Sequence, residues 1–228
     1  MRTCIVIPLI GLFAWAASAA AAPKVHVVAL GKWTAVQWFP GTGAPDEKPL
    51  TLKVRALVVD GHVKEYVIGT PHDVTERLFV VRRAFRVNDS LPEDSTPRWQ
   101  WQRGGWLLVD RLTGKVSAIN LPEFDAFYSA ASWYRDYVSY CGVSDDGKKI
   151  YAMVAQLNRR KAVLKKPLSN DGLPDDSAPD SACTEPVWQR GPVRVTFEAA
   201  KSPKQTFAIR GHVVDLVNDA EDDDEGGQ

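Results

Sequence analysis

The sequence predicts a mainly β fold built from propeller-like antiparallel units, with a β-sandwich as the alternative architecture. Runs of β-branched and aromatic residues recur at 25–30, 52–59 and 78–87, a composition that suits a pleated, half-buried surface. Turn residues bound these runs: Pro40-Gly41, Asp60-Gly61, and Asn88-Asp89-Ser90 leading to Pro92. The turns also repeat. Asp60 and Asp110 stand 50 residues apart, the period of propeller blades rather than of a sandwich.

Taken in order, the first unit spans 25–68 and the second 78–119, each pairing apolar strands around a polar gap and an Asp…Gly turn. A third runs from about 138 to 168 and a shorter fourth from 187 to 217, so roughly 200 residues at about 50 per unit make about four units. Asp60-Gly61 between Val58-Val59 and His62-Val63 is a two-residue hairpin signal. Asp110 to Gly114, and Ser144-Asp145-Asp146-Gly147-Lys148, are longer turns of the same character. Two segments compete with strand. Phe124, Phe127, Ala131, Tyr134 and Val138 fall at helical spacing behind Pro122, which predicts a short helix near Asp125 to Tyr134. Ile150, Met153, Val154 and Leu157 also share a helical face, but that pattern breaks at Arg160-Lys161, and strands turning at Asn158-Arg159 fit better. Residues 169–186, rich in Asp, Ser, Pro and Gly, read as a long irregular loop.

One stretch carries a family resemblance. Val143-Ser144-Asp145-Asp146-Gly147-Lys148-Lys149-Ile150-Tyr151 resembles the blade signature of TolB-type β-propeller repeats, with Asp145 where that repeat usually has proline. Trp106-Leu107-Leu108-Val109-Asp110 with Thr113-Gly114-Lys115-Val116 is similar to the outer-strand turn of a preceding blade. The resemblance covers about residues 105–168. It implies a ring of blades with binding to proteins or small ligands at its ends, and it transfers no catalytic residue.

The 228 residues are 45% hydrophobic and 25% charged, with 28 basic and 28 acidic side chains. These proportions suit one core-bearing domain over 24–218 and exclude a wholly disordered, collagen-like or coiled-coil chain. Zero net charge supplies no overall field for nucleic acid. Met1-Arg2, the apolar run from Cys4 to Trp15 and the alanine-rich stretch behind it read as a secretory signal peptide over 1–19, cut after Ala17-Ser18-Ala19, with Ala20 to Ala22 also permitted by the alanine run. Pro8 and Gly11 interrupt that run, which is shorter than the ~20 residues of a membrane span. The expectation is an exported protein, periplasmic or extracellular, with no transmembrane segment in the mature chain. After cleavage only Cys141 and Cys183 remain. An even pair in an oxidising compartment predicts a Cys141–Cys183 disulfide. The acidic tail at 219–228 reads as a solvated, disordered end.

No dinucleotide fingerprint, P-loop, nucleophile elbow or zincin motif occurs, so the sequence names no catalytic residue and no cofactor. His26, His62, His72 and His212 are scattered. His72-Asp73 with Glu76 is compact, but one imidazole and two carboxylates make a poor transition-metal set, and no metal is expected. The aromatics are more informative. Trp99 and Trp101 share a strand face, and Trp133, Arg135 and Tyr137 do likewise if that stretch is extended, with Tyr134 beside them. Rings next to Arg suit stacking on sugars, peptides or other planar groups. Trp133, Tyr134, Arg135 and Tyr137 are therefore the candidate ligand-binding residues, weighed against the ordinary use of large aromatics in packing. The basic run from Arg159 to Lys166 is a candidate anionic patch, for a phosphate or an acidic partner. Together these features predict an exported, non-enzymatic binding or scaffold protein whose partner is a protein or small ligand and not nucleic acid. Two alternatives stand beside it. An extracytoplasmic hydrolase would need Asp136, Asp145, His72 and Glu76 to converge at the ring axis; a subunit of an envelope assembly would join its partner through β-edges.

Overall fold

A computed structural model describes residues 25–40, 48–93, 95–173, 178–199, 202–211 and 213–217. The expected signal peptide (1–19), His212 and the acidic tail (219–228) lie outside the described residues. Every regular element among those described is a strand. β1 (Val28–Leu30), β2 (Thr34–Trp38), β3 (Leu50–Val59), β4 (His62–Asp73), β5 (Leu78–Asn88), β6 (Trp99–Asp110) and β7 (Val116–Ile119) form a seven-stranded sheet. β8 (Ala131–Tyr134), β9 (Tyr137–Val143), β10 (Ile150–Gln156) and β11 (Leu164–Ser169) form a four-stranded antiparallel meander. β12 (Val187–Arg190), β13 (Val193–Phe197), β14 (Gln205–Arg210) and β15 (Val213–Val217) form another.

The third and fourth sequence units thus each make one sheet. The first two do not. β4 pairs with β5 across the expected boundary, and the joint sheet returns on itself where Trp38 of β2 pairs parallel with Trp101 of β6. Strands β3 to β6 are 10 to 12 residues long, about twice the usual length. Register shifts at Leu57/Val58, between Ile68 and His72, and between Arg82 and Ala84 bend them. Such bulges let long strands coil into one curled sheet instead of two flat ones. The turn between β3 and β4 is the one the sequence signals: Asp60 (φ 52°) and Gly61 (φ 78°) are both left-handed, as a two-residue hairpin of type I′ requires.

The sheets stack with the second in the middle. Its Val138, Tyr140, Met153 and Ala155 pack with Leu121, Phe124 and Trp133 toward the first sheet. Its other face, with Cys141, Ile150, Ala152 and Val154, packs on Val195, Phe197, Phe207 and Ile209 of the third. Burial on both faces explains why β9 and β10 read as near-continuous apolar runs instead of alternating ones. The expected disulfide is present: Cys141 of β9 is bonded to Cys183 (S–S 2.04 Å, Cα–Cα 5.9 Å). Cys183 in turn forms an isolated antiparallel bridge with Ala199. The loop from 170 to 186 carries no strand among its described residues.

The predicted helix near 125–134 does not form. The Asp125 carboxylate accepts the backbone N–H of Phe127 (2.7 Å) and Tyr128 (2.9 Å), and Ser129 N–H reaches Asp125 O (2.9 Å), so one turn does close. It goes no further because the next carbonyls are taken from outside. Arg82 Nη2 donates to Ala126 O (2.6 Å), Arg103 Nη2 reaches Ala126 and Phe127 O, and Asp180 N–H also bonds Phe127 O (2.8 Å). Ala131 then begins β8 opposite Tyr140. Tertiary hydrogen bonds override the local periodicity.

The entry to this segment crosses close over β9. Val143 N–H donates to Glu123 O (2.9 Å), and a Cβ at Gly142 would lie 2.8 Å from Met153 Cγ and 3.0 Å from Glu123 Cβ. Gly142→Ala is therefore expected to destabilise the fold by about 1–2 kcal/mol through overpacking, read by urea denaturation. Wild-type stability in that variant would show that the crossing relaxes freely.

Candidate ligand-binding site

The predicted aromatic residues lie on one hairpin but not on one face. β8 and β9 join through Arg135 and Asp136, with Arg135 left-handed (φ 53°) and Tyr134 opposite Tyr137. The tight turn puts Trp133 on one side of the sheet and Tyr134 with Tyr137 on the other, whereas an uninterrupted strand would have set Trp133 and Tyr137 on one face. Trp133 stacks on His72 (centroids 6.1 Å apart, 26°) and meets Trp106 edge-on (5.3 Å), both from the first sheet. Tyr134 stacks on Trp188 of the third sheet (5.5 Å, 27°), and Trp188 Nε1 donates to Ser132 O (3.2 Å). The Arg135 guanidinium lies 5.4 Å from the Tyr134 ring, and Tyr137 OH donates to Gly211 O (2.9 Å). The four residues join all three sheets, and their rings are half-buried in those contacts. Trp99 and Trp101 do share a face as the alternation requires, each 5.6 Å from the Arg86 guanidinium.

Beside this hairpin lies a groove of about 550 Å³. One wall is β7 and the residues after it, from Ser117 to Leu121. The other is the end of β10 and its turn, from Gln156 to Arg160, where Asn158 (φ 64°) is left-handed. Leu108, Val138 and Ala155 complete an apolar floor. The aromatic cluster stands directly behind it, because Trp106 pairs with Ile119 and Trp133 with Val138. The buried Nε1 groups of Trp106 and Trp133 have no hydrogen-bond partner among the described residues. Arg159 and Arg160 are the charged residues of the lining, and both are exposed. A cleft of this size with an apolar floor and a few convergent polar groups is the usual form of a binding site.

The turn that places β7 is fixed electrostatically. Arg77 Nε donates to Asp110 Oδ1 (2.8 Å), Arg77 Nη2 contacts Oδ2, and Leu112 N–H adds a bond to Oδ1 (2.9 Å). These donors, Arg77 foremost, hold the Asp110 carboxyl well below the usual carboxylate range. A depressed folded pKa contributes stability above the unfolded value of about 3.9, and that contribution is lost as the pH falls through the folded value. The stability gap between wild type and Asp110→Asn is thus expected to be full at pH 7 and to narrow progressively below about pH 4 in urea titrations. A gap of constant size down to pH 2 would refute this.

The four residues an acid–base site would need do not converge. Asp136 and Asp145 flank opposite ends of β9. His72 Nε2 bonds Arg135 O (2.9 Å), while Glu76 offers its backbone carbonyl to Arg111 (3.1 Å). Asp73 also pairs with Arg111 (2.5 Å). Among the described residues, no group of three or more His, Cys, Asp or Glu is placed to hold a metal ion. Sequence reading missed the groove, since Ser117 to Leu121 carry no motif; the basic run beginning at Arg159 was its one visible signal. No family model, curated protein or solved structure matches the chain.

Proposed function

We propose that this chain is an exported binding or scaffold protein that works through the groove between β7 and the β10–β11 turn. The observation that carries the reading is the groove itself: about 550 Å³, apolar below and polar at the rim, at a seam between two sheets. The buried disulfide and the signal-like leader support export. No helix among the described residues is long and apolar enough to cross a membrane. The two four-stranded meanders packed face to face are consistent with propeller-like units, to which the curled seven-stranded sheet adds a larger third element.

Cross-linked co-purification of the tagged protein from its own host tests the reading. Asn120, exposed on the groove wall, gives the matching variant. A partner recovered at near-equal stoichiometry with wild type and lost with Asn120→Trp is the expected result. Recovery of the chain alone, or of the same partner with both forms, would overturn it.

A further inference from the structure

Granting the binding reading above, the geometry points to the class of ligand: an extended peptide carrying acidic side chains, which adds as a strand to the free edge of β7. β7 pairs with β6 and with no other strand among the described residues. Asp110 N–H donates to Lys115 O (2.9 Å), which makes this a hydrogen-bonded position. Hydrogen-bonded and non-hydrogen-bonded pairs alternate along an antiparallel ladder. Val109↔Val116 and Leu107↔Ala118 are then non-hydrogen-bonded, and Leu108↔Ser117 and Trp106↔Ile119 are hydrogen-bonded. Val116 and Ala118 consequently direct their N–H and C=O away from β6. Ala118 lies on the groove wall and is exposed.

An unpaired edge is a template for another strand. Here it borders a cleft, and the opposite wall is set back far enough to leave the cavity open. A peptide bound there would satisfy the outward backbone groups of β7 and send alternate side chains onto the floor at Leu108, Val138 and Ala155. Charge selects among such peptides. Arg159 and Arg160 stand on the facing wall and no carboxylate lines the groove. An acidic side chain there gains the Arg160 guanidinium as a partner, and a basic one meets its like charge.

Three synthetic octapeptides test this by calorimetry or fluorescence anisotropy. One alternates valine and threonine with two central aspartates, the second has lysines for the aspartates, and the third repeats the first with alternate backbone amides methylated. The aspartate peptide is expected to bind at least tenfold more tightly than the other two. Ala118→Pro removes one outward N–H without touching the β6 ladder, so folding should be kept while binding falls at least tenfold. Arg160→Glu should reverse the aspartate-over-lysine order. Equal binding of the methylated peptide, or full affinity in Ala118→Pro with native circular dichroism, would overturn strand addition. An unchanged order in Arg160→Glu would overturn the charge selection. The host partner separates the two levels of the proposal. If wild type and Ala118→Pro recover it equally while Asn120→Trp does not, the groove stands as a binding site and the peptide class falls. Concentration-dependent self-association abolished by Ala118→Pro would identify a second copy as the strand donor and likewise overturn the class.

Discussion

Replacing both Cys141 and Cys183 by alanine is expected to lower the free energy of unfolding by about 4 kcal/mol. The bond closes a loop with a sequence separation of 42, and in the chain-entropy account a loop of that length restricts the unfolded ensemble by about this amount. Both cysteines are buried, so the small cavities left behind add to the loss. The effect should appear as a urea midpoint lowered by about 2 M, for a slope near 2 kcal/mol/M, with the strand signal in far-ultraviolet circular dichroism unchanged. The loop has other anchors. Asp180 N–H bonds Phe127 O (2.8 Å) and Ala182 N–H bonds Tyr128 O (3.1 Å). A loss of under 1 kcal/mol would mean that these contacts already restrict the unfolded chain, and the entropic account would fail here.

The disulfide was legible because only one pairing remains once 1–19 are set aside, and Asp60-Gly61 because its backbone preference is local. β9 to β15 were legible as two units for a related reason: each belongs to a meander whose strands pair with their sequence neighbours, whereas β8 was hidden under the helical spacing. What the sequence could not show depends on distant partners. Nothing near Trp38 announces that it will sit beside Trp101 and join the first two units into one sheet. The helical spacing from Phe124 to Val138 is real, yet Phe124 meets Tyr140 while Phe127 meets Trp38. The site follows the same rule. Trp133 and Tyr134, singled out as ligand-binding candidates, pack instead on rings of different sheets, Trp133 on Trp106 and Tyr134 on Trp188, because neighbours along β8 face opposite ways. One groove wall is the edge strand β7 with the residues after it, and Ser117 to Leu121 carry no motif.

Asp180→Ala is expected to cost about 2–3 kcal/mol, because it strands two buried guanidinium groups. Arg82 of β5 and Arg103 of β6 are only 13% and 8% exposed, and both turn toward this carboxylate. Arg103 holds it at two points (Nη1–Oδ2 2.7 Å, Nη2–Oδ1 2.5 Å), while Arg82 Nη1 stands 3.7 Å from Oδ1. Burial, and next the like charge of Arg103, lower the Arg82 pKa to about 10, with Asp180 opposing both. Breaking a fully buried pair costs roughly 3–5 kcal/mol, but Asp180 is 39% exposed, so solvent screening places the expectation lower. Arg82→Met supplies the internal check. It keeps the Arg103–Asp180 pair and removes one of the two like charges, so in the Asp180→Ala background it should restore part of the loss, a coupling that a double-mutant cycle reads directly. Simple additivity of the two changes would show that Arg82 and Asp180 do not act as a unit. Neither residue lines the β7 groove. Groove affinity in Asp180→Ala, measured where the variant is still folded, should therefore equal that of wild type and so separate the element that holds the sheets together from the one that binds.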